Sequence, residues 1–144
     1  MMMMDKTIET AITGRLAENL RRIENLPLAV TFYAQGDVGK IAKPACVVRA
    51  EVEQLEHPKL SKVTLEVVIM MQLDDSEVEK ASETMRLIWS ELGCAMEEVC
   101  DYFSVEKLFW VRKVRPLGVR SEIEGDRSRQ WTLPVEVWVE EFAG

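Results

Sequence analysis

Between residues 62 and 73 the chain is apolar at every second position: Val63, Leu65, Val67, Ile69, Met71 and Leu73. That repeat sets side chains on one face of a strand, so the run has a face to bury. Thr64, Glu66 and Gln72 share the other face with Val68 and Met70, which predicts that this face is partly covered as well. Asp74, Asp75 and Ser76 stop the strand. Ser76 followed by Glu79 is a capping-box pattern, and the acids Asp75, Glu77 and Glu79 suit the positive end of a helix. Val78, Ala81, Met85, Ile88, Trp89 and Leu92 then recur at three- and four-residue steps, one face of that helix.

The rest of the chain arranges itself around this strand and helix. Residues 5–24 carry Ile8, Ala11, Ile12, Leu16, Leu20 and Ile23 at helical spacing, ended by Asn25-Leu26-Pro27. Residues 28–33 are a short apolar run, either a strand or a packed extended segment. Residues 44–54 alternate Cys46, Val48, Ala50 and Val52 with Arg49, Glu51 and Glu53, a strand that forms a hairpin with residues 62–73. Gly93 is placed as a helix-ending glycine, with Met96, Val99, Cys100 and Phe103 in a second helical piece that either continues the axis or bends from it. Residues 108–120 read as a strand interrupted by Pro116 and Gly118, and residues 121–128 as a polar turn. A closing strand alternates Trp131, Leu133, Val135, Val137 and Val139 with Thr132, Pro134, Glu136, Trp138 and Glu140, and forms a second antiparallel hairpin with the strand from Leu108. The expectation is one α+β domain over residues 1–144: an N-terminal helix at 5–24 and a core at 44–142. Its order α-β-β-α-β-β predicts a twisted antiparallel sheet of about four strands packed on the long helix.

Composition narrows the function classes. A formal charge of −7 disfavours tight duplex binding, which needs many Lys and Arg contacts to phosphate. The three cysteines, Cys46, Cys94 and Cys100, form no Cys-x-x-Cys or metal-knuckle spacing and read as reduced thiols of a cytosolic chain. No apolar run approaches the ~20 residues of a membrane span, and the Met1–Met4 run before Asp5 is too short for a signal peptide.

Candidate chemistry is sparse. Asp74 and Asp75 form a carboxylate pair at a strand end that a hard cation such as magnesium would want, although helix capping explains the same residues. Gly36-Asp37-Val38-Gly39-Lys40 superficially resembles a phosphate loop but lacks its spacing, its Ser/Thr and its following helix. His57, the only histidine, sits beside Pro58 in a connection and reads as a loop residue. Arg112, Lys113, Arg115 and Arg120 make one strand locally basic. Either they discourage stray edge pairing, or they meet Glu51, Glu53, Glu136 or Glu140 of a neighbouring subunit. Of the aromatics in the last hairpin, Trp131 is in phase with the core and Trp138 is out of phase, an interface anchor between Glu136 and Glu140. Strand phase and charge thus select Arg49, Glu51, Glu53, Arg112, Arg115, Arg120, Glu136, Trp138 and Glu140 as oligomer-interface candidates.

Several features together carry a family likeness: the helix before the Ala45-Cys46-Val47-Val48 strand, its hairpin to residues 63–73, Asp74-Asp75 opening the helix of Ala81, Leu87 and Leu92, and Arg129-Gln130-Trp131 leading the closing strand. In these the chain resembles the tail terminator (tail completion) proteins of long-tailed bacteriophages and phage-tail-like particles. The resemblance implies a non-catalytic subunit without cofactor that closes into a homohexameric ring. Such a ring caps the tail tube, ends its polymerisation and meets head-completion or connector proteins, while DNA only passes through its lumen. It implies a place at the head–tail junction of the virion, reached from the bacterial host cytoplasm. The alternatives are a head–tail connector or neck protein of the same fold, and a small metal- or nucleotide-dependent enzyme using Asp74, Asp75 and the Gly36–Lys40 loop.

Overall fold

The inward positions of the alternating runs all point to one side of a single sheet, and both helices lie on that side. The computed structural model describes residues 2–34, 44–55, 60–72, 75–105, 109–124 and 128–141. In chain order these form α1 (Met2–Leu20), β1 (Thr31–Ala34), β2 (Ala45–Gln54), β3 (Leu60–Gln72), α2 (Asp75–Val105), β4 (Phe109–Pro116), β5 (Arg120–Glu124) and β6 (Ser128–Glu141). The strands lie in the order β1-β2-β3-β6-β4, with β5 also paired to β6. β1 runs parallel to β2 and every other pairing is antiparallel. Both expected hairpin pairings are present, but the sheet has six strands instead of about four.

The core lies between the sheet and the two helices. Val63, Leu65, Val67 and Ile69 of β3 and Leu133, Val135 and Val137 of β6 are fully buried, together with Cys46 and Val48 of β2. Ile12, Leu16 and Leu20 of α1 and Ile88 and Val99 of α2 meet them with no exposed surface. Each such side chain contributes about 1.5–3 kcal/mol on burial. α1 covers β1 and β2, α2 covers β4 and β6, and the helices touch each other. Asn19 Nδ2 donates to Ala95 O at 3.2 Å across that contact, and the Arg15 guanidinium lies 4.1 Å from the Tyr102 ring centre.

Four boundaries differ from the sequence expectation. α1 stops at Leu20, not near residue 24. The amides of Arg22 and Ile23 donate to Asn19 O and Leu20 O, a tight closing turn, and Asn25 then takes the left-handed φ of 62°. β1 resolves the short apolar run as a strand, and β3 starts at Leu60. α2 runs unbroken for 31 residues, so Gly93 lies inside it and ends nothing. Leu92, Met96, Val99 and Phe103 stay on the buried face through the glycine, and their packing outweighs its helix cost of about 1 kcal/mol.

The fourth difference is the expected strand at 108–120, which is two strands. β4 ends at Pro116, and β5 occupies the first half of the expected polar turn. Both pair with the same side of the 14-residue β6: β4 down to Pro116↔Val135, and β5 from Arg120↔Thr132. Pro134 of β6 stands at the handover. Its carbonyl accepts from Leu117 N at 2.8 Å on that side, so the amide it lacks faces the gap between β4 and β5, where no ladder bond is lost.

A Cβ built at Gly93 meets nothing within 4 Å. Gly93→Ala should therefore stabilise the fold by about 1 kcal/mol, read as a higher denaturant midpoint with unchanged slope; a lower midpoint would mean the glycine serves a close approach.

Candidate functional site

The face of the sheet turned away from the helices gathers all the interface candidates. Arg49, Glu51 and Glu53 lie on β2, Arg112 and Arg115 on β4, Arg120 on β5, and Glu136, Trp138 and Glu140 on β6. Strand phase puts them there: each alternates with a core residue, and the registers line them up in rows. One row runs Glu51, Thr64, Glu136, Arg115 and the next Glu53, Lys62, Trp138, Lys113. β4 breaks its alternation with a bulge between Val111 and Lys113. The extra residue lets both Arg112 and Lys113 reach groups on this face: Arg112 meets Glu140, and Lys113 lies over Trp138.

The charges are cross-linked within the chain. Glu66 accepts from Arg49 Nε at 3.1 Å, and its other oxygen lies 3.4 Å from Arg120 Nη2. Glu136 pairs with Lys62 Nζ through one oxygen and has Arg115 Nε at 3.1 Å from the other. Arg112 binds Glu140 Oε1 through Nη2 at 2.6 Å and Nε at 3.2 Å. Trp138 sits between two ammonium groups, Lys62 Nζ at 5.7 Å and Lys113 Nζ at 5.1 Å from its ring centre. Exposed pairs of this kind contribute about 0–1 kcal/mol each. Their structural effect is to fix the side chains of β2, β3, β6, β4 and β5 into one polar lattice.

The acids Glu136 and Glu140, expected as partners for arginines of a neighbouring subunit, are thus engaged by Arg115 and Arg112 of the same chain. Lys62, Glu66 and Lys113 complete the lattice without having been selected from the sequence. Their signal was present, since Lys62 and Glu66 occupy the outward phase of the β3 repeat, but it needed the order of the strands. The expected partial cover of the outward β3 face is found at Val68, which is fully buried, with Ala45 and Thr132 buried beside it.

The lysine hydrogen bond is the main cause that holds the Glu136 carboxyl below its ordinary value of 4.5, with the positive charges of Lys62, Arg115 and Lys113 adding to it. At neutral pH this carboxylate is a fixed charge and not a proton donor. The metal and nucleotide candidates lie outside what is described: the Gly36–Lys40 loop, His57 and Asp74 fall outside the described residues, and so does the side chain of Asp75.

A second surface lies along α2. Trp89 is 41% exposed and stands between two clefts, one running past Leu92, Gly93 and Met96 to Val114 and Pro116, the other reaching Val119 and Trp131. The trough follows the α2 flank where β4 hands over to β5. Of the thiols, Cys46 is buried and its pKa is pushed up to about 12 by loss of solvent. Cys100 is half-buried and is raised first by desolvation and then by the negative charge of Asp101; Cys94 is exposed.

In comparisons with known proteins, no family model matches the chain and no curated protein matches it.

Two measurements follow from this geometry. Because folding lowers the Glu136 pKa, the lattice supports the native state fully above the ordinary value of 4.5 and loses that support as the pH falls through the folded value. The stability gap between the wild type and Glu136→Gln should therefore be widest near neutrality and shrink on acidification; a gap independent of pH would remove the charge from the account. In thiol labelling of the folded chain, Cys94 should react first, Cys100 more slowly, and Cys46 only on unfolding.

Proposed function

We propose that this chain is a structural assembly subunit that works by closing into a ring of identical copies, the role implied by its resemblance to phage tail terminators. The observation that carries the reading is the layering of the fold. Both helices cover one face of the sheet, the other face carries the charged lattice beside an apolar end at Ala45 and Val68, and the sheet ends in two unlike edges, β1 with β2 on one side and β4 with β5 on the other. Unlike ends suit the heterologous contact by which one patch meets a different patch on the next copy, and such contacts close into rings when the rotation from copy to copy completes a circle. In the ring the lattice face is placed inward, toward the lumen, and the helices outward.

In this reading six copies form a collar on the last ring of tail-tube protein at the head–tail junction. The collar stops the tube from growing and presents its other rim to the head-completion or connector proteins. DNA crosses the lumen without being held. The lattice face suits that passage, because Arg49, Lys62, Arg112, Arg115 and Arg120 are each paired with a carboxylate and the chain as a whole carries a charge of −7.

Native mass spectrometry of the purified chain, with negative-stain microscopy, tests the proposal. A closed oligomer centred on six copies with a central channel is the expected result. A chain that stays monomeric at every concentration overturns it.

A further inference from the structure

The two edges of the sheet differ in charge as well as in place. β1 pairs with the first part of β2, from Thr31↔Ala45 to Ala34↔Val48, so among the described residues no strand lies outside β2 beyond Val48. That half-edge is acidic: Glu51 and Glu53 are exposed and form no ion pair with any described residue, and the Glu9 carboxylate lies beside them, accepting from Val52 N at 3.3 Å. The opposite edge at the same level is basic. Reading across the registers, Glu51 shares its row with Arg115 and Glu53 shares its row with Lys113. Arg115 is 59% exposed while touching Glu136, which leaves guanidinium donors free to take a second carboxylate. Lys113 is exposed, with its ammonium over the Trp138 ring.

We propose that the acidic half-edge of β2 on one copy docks against the basic β4 edge of the next, with Glu51 meeting Arg115 and Glu53 meeting Lys113. This rests on the ring reading and names the contact that closes the ring. The two charge pairs lie in the same two rows of the sheet, so successive copies meet without a shift along the strands. β2 and β4 run in opposite directions, so the joined edges are antiparallel. The Glu9 carboxylate occupies the outward amide of Val52, which makes the contact one of side chains and not a continued backbone ladder. Intrachain partners already hold Arg112 and Glu140, which leaves them the supports of this edge.

A seam between unlike edges predicts a complementation that a seam between like edges does not. Glu51→Lys with Glu53→Lys places like charges on the seam, and so does Lys113→Glu with Arg115→Glu. Each variant alone should weaken assembly on the order of tenfold or more, seen by light scattering after size exclusion. An equimolar mixture should assemble again, because in an alternating ring every seam carries opposite charges. The chain carrying all four substitutions should assemble by itself. Circular dichroism melts identify any variant that fails to fold, and the Glu51→Lys, Glu53→Lys chain, altered only at exposed positions, decides the matter if the Lys113→Glu, Arg115→Glu chain does fail. A wild-type ring that survives Glu51→Lys with Glu53→Lys unchanged overturns this seam and leaves the ring reading standing. A wild-type chain that never assembles overturns both.

Discussion

The antiparallel ladder between β3 and β6 decides which side of every other strand is wet. It runs the full length of β3, from Leu60↔Glu140 to Gln72↔Ser128. Within it Val63, Leu65, Val67 and Ile69 face the same side as Val137, Val135, Leu133 and Trp131, all of them buried. A slip of one residue would turn each of these to solvent and bring Lys62, Glu66 and Glu136 into the core, so the apolar repeat pins the register. Both helices then pack on the side the ladder selects. β2 and β4 inherit their phase from it, and the polar lattice is the same decision seen from the opposite face.

That dependence explains how much of the fold and the site could be read from the sequence. The alternations of β2, β3 and β6 were legible because each buries one face and leaves the other polar. The same phase argument put Arg49, Glu51, Glu53, Glu136, Trp138 and Glu140 on one face before any strand had been placed. The pairs inside one hairpin, Arg49 with Glu66 and Arg115 with Glu136, follow from the hairpin registers. The links between the hairpins were not legible, because they depend on β6 lying between β3 and β4, an arrangement that neither hairpin specifies alone. Only that neighbourhood brings Lys62 onto Glu136 and Arg120 onto Glu66. The local errors have local causes. Ser121, Glu122 and Glu124 are turn-like in composition, yet β6 is long enough to pair them as β5 once β4 has ended. Gly93 is punctuation by composition, yet it sits on an exposed stretch of a helix whose opposite side is anchored in the core.

The prolines show how a tertiary arrangement absorbs what looks like a fault. Pro116 closes β4, and Pro134 lies in the middle of the longest strand in the sheet, where a missing amide ordinarily costs a ladder bond. Because one edge strand stops and another starts beside Pro134, the amide is missing where no acceptor has to be met. The break in turn produces the gap that the 117–119 segment crosses, and the apolar trough along α2 borders it, with Pro116 in one cleft and Val119 in the other.

Charge is distributed unevenly over this frame. The chain is strongly acidic, yet on the face away from the helices Arg49, Lys62, Arg112, Lys113, Arg115 and Arg120 stand against Glu51, Glu53, Glu66, Glu136 and Glu140. The excess negative charge therefore sits mainly on the helices and connections. In the ring we propose, the balanced face turns inward and the acidic helices turn outward. Outer surfaces of like charge repel, which discourages rings from clumping through their sides. Among the described residues, the charges of the balanced face that form no ion pair are Glu51 and Glu53 on β2 and Lys113 on β4, at its two ends. A face neutral in its middle and opposite at its edges has a reason to meet another copy sideways, and that asymmetry is what a closed head-to-tail assembly requires of a single chain.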